Sequence, residues 1–182
     1  MALSIWGNGD DLTLKELEKL NLKGKWLDLG AGDGRYIREL LEKVDTLIAA
    51  DVDEKSLNNL LLNVQKEKKN KLSTVVLDIT KKLPFPNKSF EGVFCTGTIH
   101  LFPKKIVKSI LREITRIIKP NGKIILDFAT DIKRTYPDGS RKTDPAELQY
   151  SLSEGKELLK KALTDYNLNI AQSSFEDDLT KE

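Results

Sequence analysis

The chain is poor in cysteine, histidine and long apolar runs, and each shortage excludes something. Cys95 is the only cysteine among 182 residues, so no intramolecular disulfide can form and a reducing cytoplasm is the expected compartment. His100 is the only histidine, and with a single thiol beside it no metal-ligand cluster can be read. No apolar run nears the roughly 20 residues that span a bilayer. The opening residues are neither basic nor apolar enough for a signal peptide, so no membrane partner is expected. Charge of one sign is lacking as well. A formal charge of +2 gives no ground for a strongly basic nucleic-acid binder, although it leaves local patches open. The length suits one domain, residues 1–182.

What is present is a regular alternation of short β-rich runs and helical patterns. Leu14, Leu17 and Leu20 suggest a leading helix. Trp26 to Leu29 reads as a strand, and Ile37, Leu40, Leu41 and Val44 mark the helix after it. Thr46 to Asp51 is a second strand, followed by a helix burying Leu57, Leu60, Leu61 and Val64. Thr74 to Asp78 and Gly92 to Thr96 read as the third and fourth strands. A helix with Val107, Ile110, Leu111, Ile114 and Ile118 ends at Pro120-Asn121-Gly122, and Lys123 to Phe128 is a fifth strand. The strands are near-continuous apolar runs, as expected when helices cover both faces of a parallel sheet. The fold class is therefore α/β: a Rossmann-like, doubly wound, mostly parallel sheet. Beyond it, Thr130 to Pro145 reads as a polar loop. A last helix with Leu159, Ala162, Leu163 and Tyr166 follows, then a short strand within Leu168 to Phe175.

Leu27 to Arg35, LDLGAGDGR, joins the first strand to the next helix. Gly30 and Gly32 let backbone approach a ligand where a Cβ would clash, and the helix start favours an anionic group nearby. Asp51 ends the second strand, where a carboxylate would meet ribose hydroxyls in a dinucleotide fold. A nucleoside-type ligand is the natural reading. The dinucleotide fingerprint needs a glycine where Arg35 stands, which argues against a nicotinamide oxidoreductase, and no Gly-Lys-Ser/Thr of a Walker loop follows.

With this loop the chain resembles the class I S-adenosylmethionine (SAM)-dependent methyltransferases, whose first motif is similar to LDLGAGDG. Leu83 to Phe102, LPFPNKSFEGVFCTGTIHLF, resembles the LPFxxxSFD stretch of the type 11 methyltransferase domain, with Glu91 where Asp is usual. Arg112 to Leu126 resembles the family's helix, turn and fifth strand. The resemblance implies SAM as cofactor and the class I methyltransferase fold. It implies that Asp28 orders the glycine loop and the methionine end of SAM, with Gly30, Ala31 and Gly32 close to it. It places Asp51 on the ribose, with Val52 beside it, and Asp78 and Ile79 at the adenine. Cys95 or Thr96 would offer backbone contact. It divides the chain into an N-terminal lid or helix (1–24), a cofactor-binding core (25–129) and a loop, helix and terminal strand (130–182). The family usually finishes on a strand hairpin, whereas here only the charged Glu176 to Glu182 follows the last strand-like run, so that C-terminal strand is shortened or missing.

Methyl transfer from a sulfonium is an in-line displacement that needs a protein base only when the acceptor must lose a proton. His100, just past the fourth strand, is the candidate catalytic base, against an ordinary packed histidine. Cys95 reads as a strand residue and not a nucleophile. Trp6 to Gly9 could fold over the methionine end or simply turn into the first helix. The acceptor is read as a small molecule; an RNA or protein acceptor, or a non-catalytic SAM-binding protein, are the alternatives, and Arg134, Arg141 and Lys142 are the candidates for gripping an anionic substrate or RNA. The lysine stretches Lys66 to Lys71 and Lys104 to Lys108 read as solvated surface. The Asp51 carboxylate is expected to face the cleft without a structural partner, leaving Asp28 as the organiser of the loop.

Overall fold

The computed structural model describes residues 11–132 and 150–174, and its centre is a five-stranded, all-parallel sheet in the order β3-β2-β1-β4-β5. The strands are β1 (Lys25–Leu29), β2 (Thr46–Asp51), β3 (Leu72–Val76), β4 (Phe90–Cys95) and β5 (Ile118–Leu126). The helices are α1 (Asp11–Lys19), α2 (Ile37–Lys43), α3 (Glu54–Asn63), α4 (Lys104–Ile117) and α5 (Leu152–Ala162). Strand alternation sends Trp26, Leu47, Ala49 and Phe94 to one face, where they pack with Leu17 of α1, Leu40 of α2 and Leu57 of α3. Leu27, Leu29, Val93 and Cys95 point to the other face, against Val107, Ile110, Leu111 and Ile114 of α4 and Leu158 of α5. Each helix presents one apolar stripe, and both faces of the sheet are covered. β1 is central, with β2 and β3 on one side and β4 and β5 on the other, so the winding reverses between β1 and β4.

The expected elements are found, with differences in their limits that have local causes. The third strand begins and ends two residues earlier than read, and past its end the Asp78 carboxylate takes the Thr80 N–H (2.8 Å) and hydroxyl (2.6 Å) and turns the chain out of the sheet. The fifth strand already pairs at Ile118 with Phe90, then bulges at Pro120 to Gly122, where Asn121 has φ 65°, before Lys123 meets Gly92. The turn read as ending α4 thus lies inside β5. α5 opens on a capping box between Ser151 and Glu154, a Ser-x-x-Glu signal present in the sequence. The strand expected within Leu168 to Phe175 is not formed over its described residues 168–174. Leu168 packs on the core, but 169 to 174 are exposed and pair with no strand among the described residues. Trp6 to Gly9, Arg134, Arg141 and Lys142, most of the loop 130–145, and Glu176 to Glu182 lie outside the described residues.

The LPFP segment between β3 and β4 is held by one arginine. Arg116 of α4 donates to Glu113 (2.9 and 2.7 Å), to the carbonyls of Phe85 (2.8 Å) and Leu83 (3.0 Å), and to Asn87 Oδ1 (2.9 Å). Glu113 in turn accepts the Leu83 N–H at 2.9 Å, and the Arg116 guanidinium holds its carboxyl below the usual range. The planar fork matches these acceptors in a way a lysine point charge cannot. Arg116→Ala is expected to cost about 3 kcal/mol, since charge-assisted bonds are lost together and partly buried carbonyls are left over. Arg116→Lys should recover only a small part. Urea unfolding of both variants measures this, and a loss under about 0.5 kcal/mol for the alanine variant would contradict it.

Candidate functional site

At the carboxyl end of β1 the chain turns sharply through the glycine loop. Gly30, Gly32 and Gly34 all have positive φ (80°, 53° and 90°), a region costly for residues with a Cβ. At Gly30 a Cβ would stand 2.3 Å from Thr98 Oγ1, so the loop after β1 packs directly on the loop after β4. The two sides of the winding reversal therefore meet here, where open α/β sheets bind ligands. The Gly30 and Ala31 N–H groups both donate to the Ala50 carbonyl (2.8 and 3.0 Å), fastening the loop to β2.

Asp51 makes the most informative contact. One carboxylate oxygen accepts the Gly32 N–H at 2.8 Å and the other the Asp53 N–H at 2.9 Å. This corrects the expectation that Asp51 lacks a structural partner. A carboxylate at a strand end beside a loop of positive-φ glycines finds backbone donors, and it shapes that loop. Each oxygen keeps a second lone pair for a ligand. Asp53 caps α3, accepting the Lys55 N–H (3.0 Å) and the Ser56 hydroxyl (2.7 Å), and the Ser56 bond lowers its carboxyl below the ordinary value. The exposed Val52 stands between the two acids, the residue 70% accessible.

Asp28 is buried at 4% exposure beneath this loop, on the strand that centres the sheet. Burial first, and then the Asp51 charge, push its pKa up to about 7. Cys95, at the end of β4, is fully buried, and burial followed by the Asp28 and Asp127 charges raises its thiol well above the usual range. It stays protonated and inert as a nucleophile. Thr96 offers its carbonyl to the Thr98 hydroxyl at 2.8 Å. Gly97, with φ 62° and open space where a Cβ would lie, donates its N–H to Asp127 Oδ1 at 2.7 Å.

Asp28, Gly30, Ala31, Gly32 and Asp51 are thus brought together, with Cys95 and Thr96 across the crevice. Asp78 and Ile79 lie further out, past β3. There the Thr80 hydroxyl and N–H lower the Asp78 carboxyl, which is exposed, and Ile79 packs on the core. His100 sits half-buried in a single 3-10 turn (Ile99–Leu101), its ring 6.3 Å from that of Phe128 in edge contact. Asp127 and Thr98 were not singled out from the sequence. An acid closing a strand, as Asp28 and Asp51 nearly do, was the available signal for Asp127; Thr98 carried none.

The strand order defines the class: an α/β protein with a parallel sheet whose winding reverses between β1 and β4, the glycine loop lying at that switch. A methyltransferase domain model matches residues 27–126, more than half of the chain, and the chain belongs to that family. It is 30% identical over 110 residues to the tRNA U34 carboxymethyltransferase of Nautilia profundicola, an alignment covering 59% of this chain and 35% of that protein. The curated relatives it matches are covered over only 35% and 43% of their length. Among solved structures, a SAM-dependent methyltransferase from Aquifex aeolicus superposes with a TM-score of 0.63 at 24% identity, over 83% of this chain and 78% of that one. The DhpI-SAM-HEP complex does so with 0.63 at 18% identity, over 82% and 74%.

Proposed function

We propose that the chain is a SAM-dependent methyltransferase acting on a small molecule. The observation that carries this reading is the Asp51 carboxylate gripping the Gly32 N–H at the switch of the sheet, with Asp28 buried beneath. The residues fit a cationic nucleoside: Asp28, Asp51 and Asp127 gather carboxylates there, and the positive-φ glycines keep side chains out of the crevice. When bound, SAM supplies an electrophilic methyl group on a sulfonium.

The chain's own residues bind and orient. Asp51 would take the ribose hydroxyls on its remaining lone pairs, with Val52 against the adenine and Asp78 and Ile79 at its polar edge. Asp28 would balance the positive charge at the methionine end, and the Gly30 to Gly32 backbone would close on it. Cys95 and Thr96 would contribute backbone. His100, across the crevice beside Phe128, would take a proton from an acceptor that must lose one. Residues 25–129 form the cofactor-binding core of one domain, in the cytoplasm. Calorimetry with SAM and with its demethylated product tests the cofactor: both should bind, and no heat at millimolar concentration would sink the reading. Labelled SAM in a cell extract should then mark a low-molecular-weight product.

A second reading, transfer to RNA, is favoured by the likeness to a tRNA U34 carboxymethyltransferase. In that case the label would appear in the RNA fraction.

A further inference from the structure

The carboxyl edge carries Asp28, Asp51, Asp78 and Asp127 together with Lys55 and Lys81, whereas the amino edge, about 13 Å away along β1, presents a row of lysines. Two grooves lie on that amino edge. One, of about 340 Å³, runs beside the starts of β1, β4 and β5 and is lined by Lys23, Lys119 and Lys123 with Asn21 and Asn121. The other, of about 290 Å³, lies beside the starts of β1, β2 and β3 and is lined by Lys25 and Lys71 with Asn70. The grooves share the start of β1, so together they follow all five strands, about 19 Å. Among the described residues the one acid lining either groove is Glu91, engaged by Lys119 at 2.5 Å and by the Lys25 N–H at 2.7 Å, and the neighbouring Asp45 accepts the Gly24 N–H at 2.8 Å.

Four of the five lysines, Lys25, Lys71, Lys119 and Lys123, are anchored, which fixes where their charge sits. Lys71 donates to the Val44 carbonyl (3.2 Å), Lys123 to that of Asn21 (3.4 Å), and Lys25 stands 5.1 Å over the Phe90 ring. An ammonium group has three donors, so those that make one such bond keep others for a ligand. We infer that this amino edge docks the phosphate backbone of RNA, on the face opposite the proposed cofactor site. A polyanion is drawn to the lysines that line these two grooves. A pair of grooves suits a strand better than a flat lipid surface, and the interleaved asparagine amides suit phosphate and sugar oxygens. Among the described residues no exposed aromatic ring lines the grooves, so recognition is of backbone and not of sequence. The inference does not depend on which molecule accepts the methyl group, and its test needs no cofactor.

Fluorescence anisotropy of a labelled single-stranded RNA of mixed sequence, with the full chain, should give an affinity that falls with salt at a log–log slope of about −2 to −3. Lys23→Gln/Lys25→Gln/Lys123→Gln should weaken binding about tenfold or more and flatten the slope by about 2. The triple variant Lys82→Gln/Lys105→Gln/Lys108→Gln loses the same charge elsewhere and should bind nearly as the parent does. In the unaltered protein, RNA should protect Lys23, Lys25 and Lys123 from an amine-acylating reagent while leaving Lys105 and Lys108 reactive. A flat salt dependence, equal losses in the two triple variants, absence of protection, or tighter binding to phosphatidylserine vesicles or polyglutamate than to RNA would each overturn the assignment.

Discussion

Asp51→Ala is expected to lower SAM affinity roughly ten- to a hundredfold and, unlike a purely ligand-facing substitution, to lower stability by about 2 kcal/mol. The stability loss follows from the two backbone donors its carboxylate holds, Gly32 N–H and Asp53 N–H. Each charge-assisted bond is worth roughly 1.5–3 kcal/mol, and water at this half-buried position replaces part of that. For a chain of this size the melting temperature should drop by about 4–8 °C. Asp51→Asn retains one carbonyl oxygen, so it can keep one of the two N–H groups; its stability should lie between parent and alanine variant. Its affinity should stay nearer the alanine variant, because the negative charge is gone. Thermal unfolding with calorimetric titration separates the two effects. An Asp51→Ala protein that melts with the parent would contradict the clamp, and one that binds SAM as the parent does would move the cofactor away from this strand end.

How far the sequence reached can be judged residue by residue. The sheet was legible because its strands are short, apolar and separated by helices whose buried positions recur at three and four residues, as Val107, Ile110, Leu111 and Ile114 do. Strand ends were less so, since side-chain bonds such as Asp78 to Thr80 turn the chain past them, and hydrophobic pattern does not encode them. The glycine loop and Asp51 were readable from spacing, and Asp28 from the resemblance to the methyltransferase family. What spacing could not show is which acid does what. Gly32 donates to Asp51, and the desolvated acid is Asp28, because tertiary approach and burial set these roles. Asp127 belongs to the same crevice through Gly97, a contact between residues thirty apart. The Arg116 brace was illegible for a similar reason. Arginine on a helix reads as solvated, and its acceptors are main-chain carbonyls of a distant segment.

The buried Asp28 should make stability fall as pH rises, against the usual direction for a carboxylate. In the folded chain its pKa is raised from 3.8 to about 7, so the native state keeps a proton that the unfolded chain has already lost. Between these values the unfolded state binds fewer protons, and unfolding free energy declines with pH by about 1.4 kcal/mol per unit. The stabilisation is fully present below pH 3.8 and is lost as pH passes through about 7, a total of about 4 kcal/mol. Groups shifted the other way, such as Glu154 lowered to about 2 and Glu91 and Glu113 lowered by their cations, act below pH 4.5 and leave the upper window to Asp28. Urea unfolding of parent and Asp28→Asn from pH 5 to 8 reads the effect, and comparing the two subtracts any contribution of His100. The parent should lose most of its stability difference by pH 7, and the Asp28→Asn curve should be nearly flat. A bound cation beside Asp28 would favour the ionised form, so SAM binding near pH 7 should release a fraction of a proton in the parent and none in Asp28→Asn. That release is measured as a dependence of binding heat on buffer ionisation enthalpy. Parallel pH profiles for the two proteins would show that the crevice carboxylate is charged throughout, and that the positive charge of a bound cofactor is balanced elsewhere.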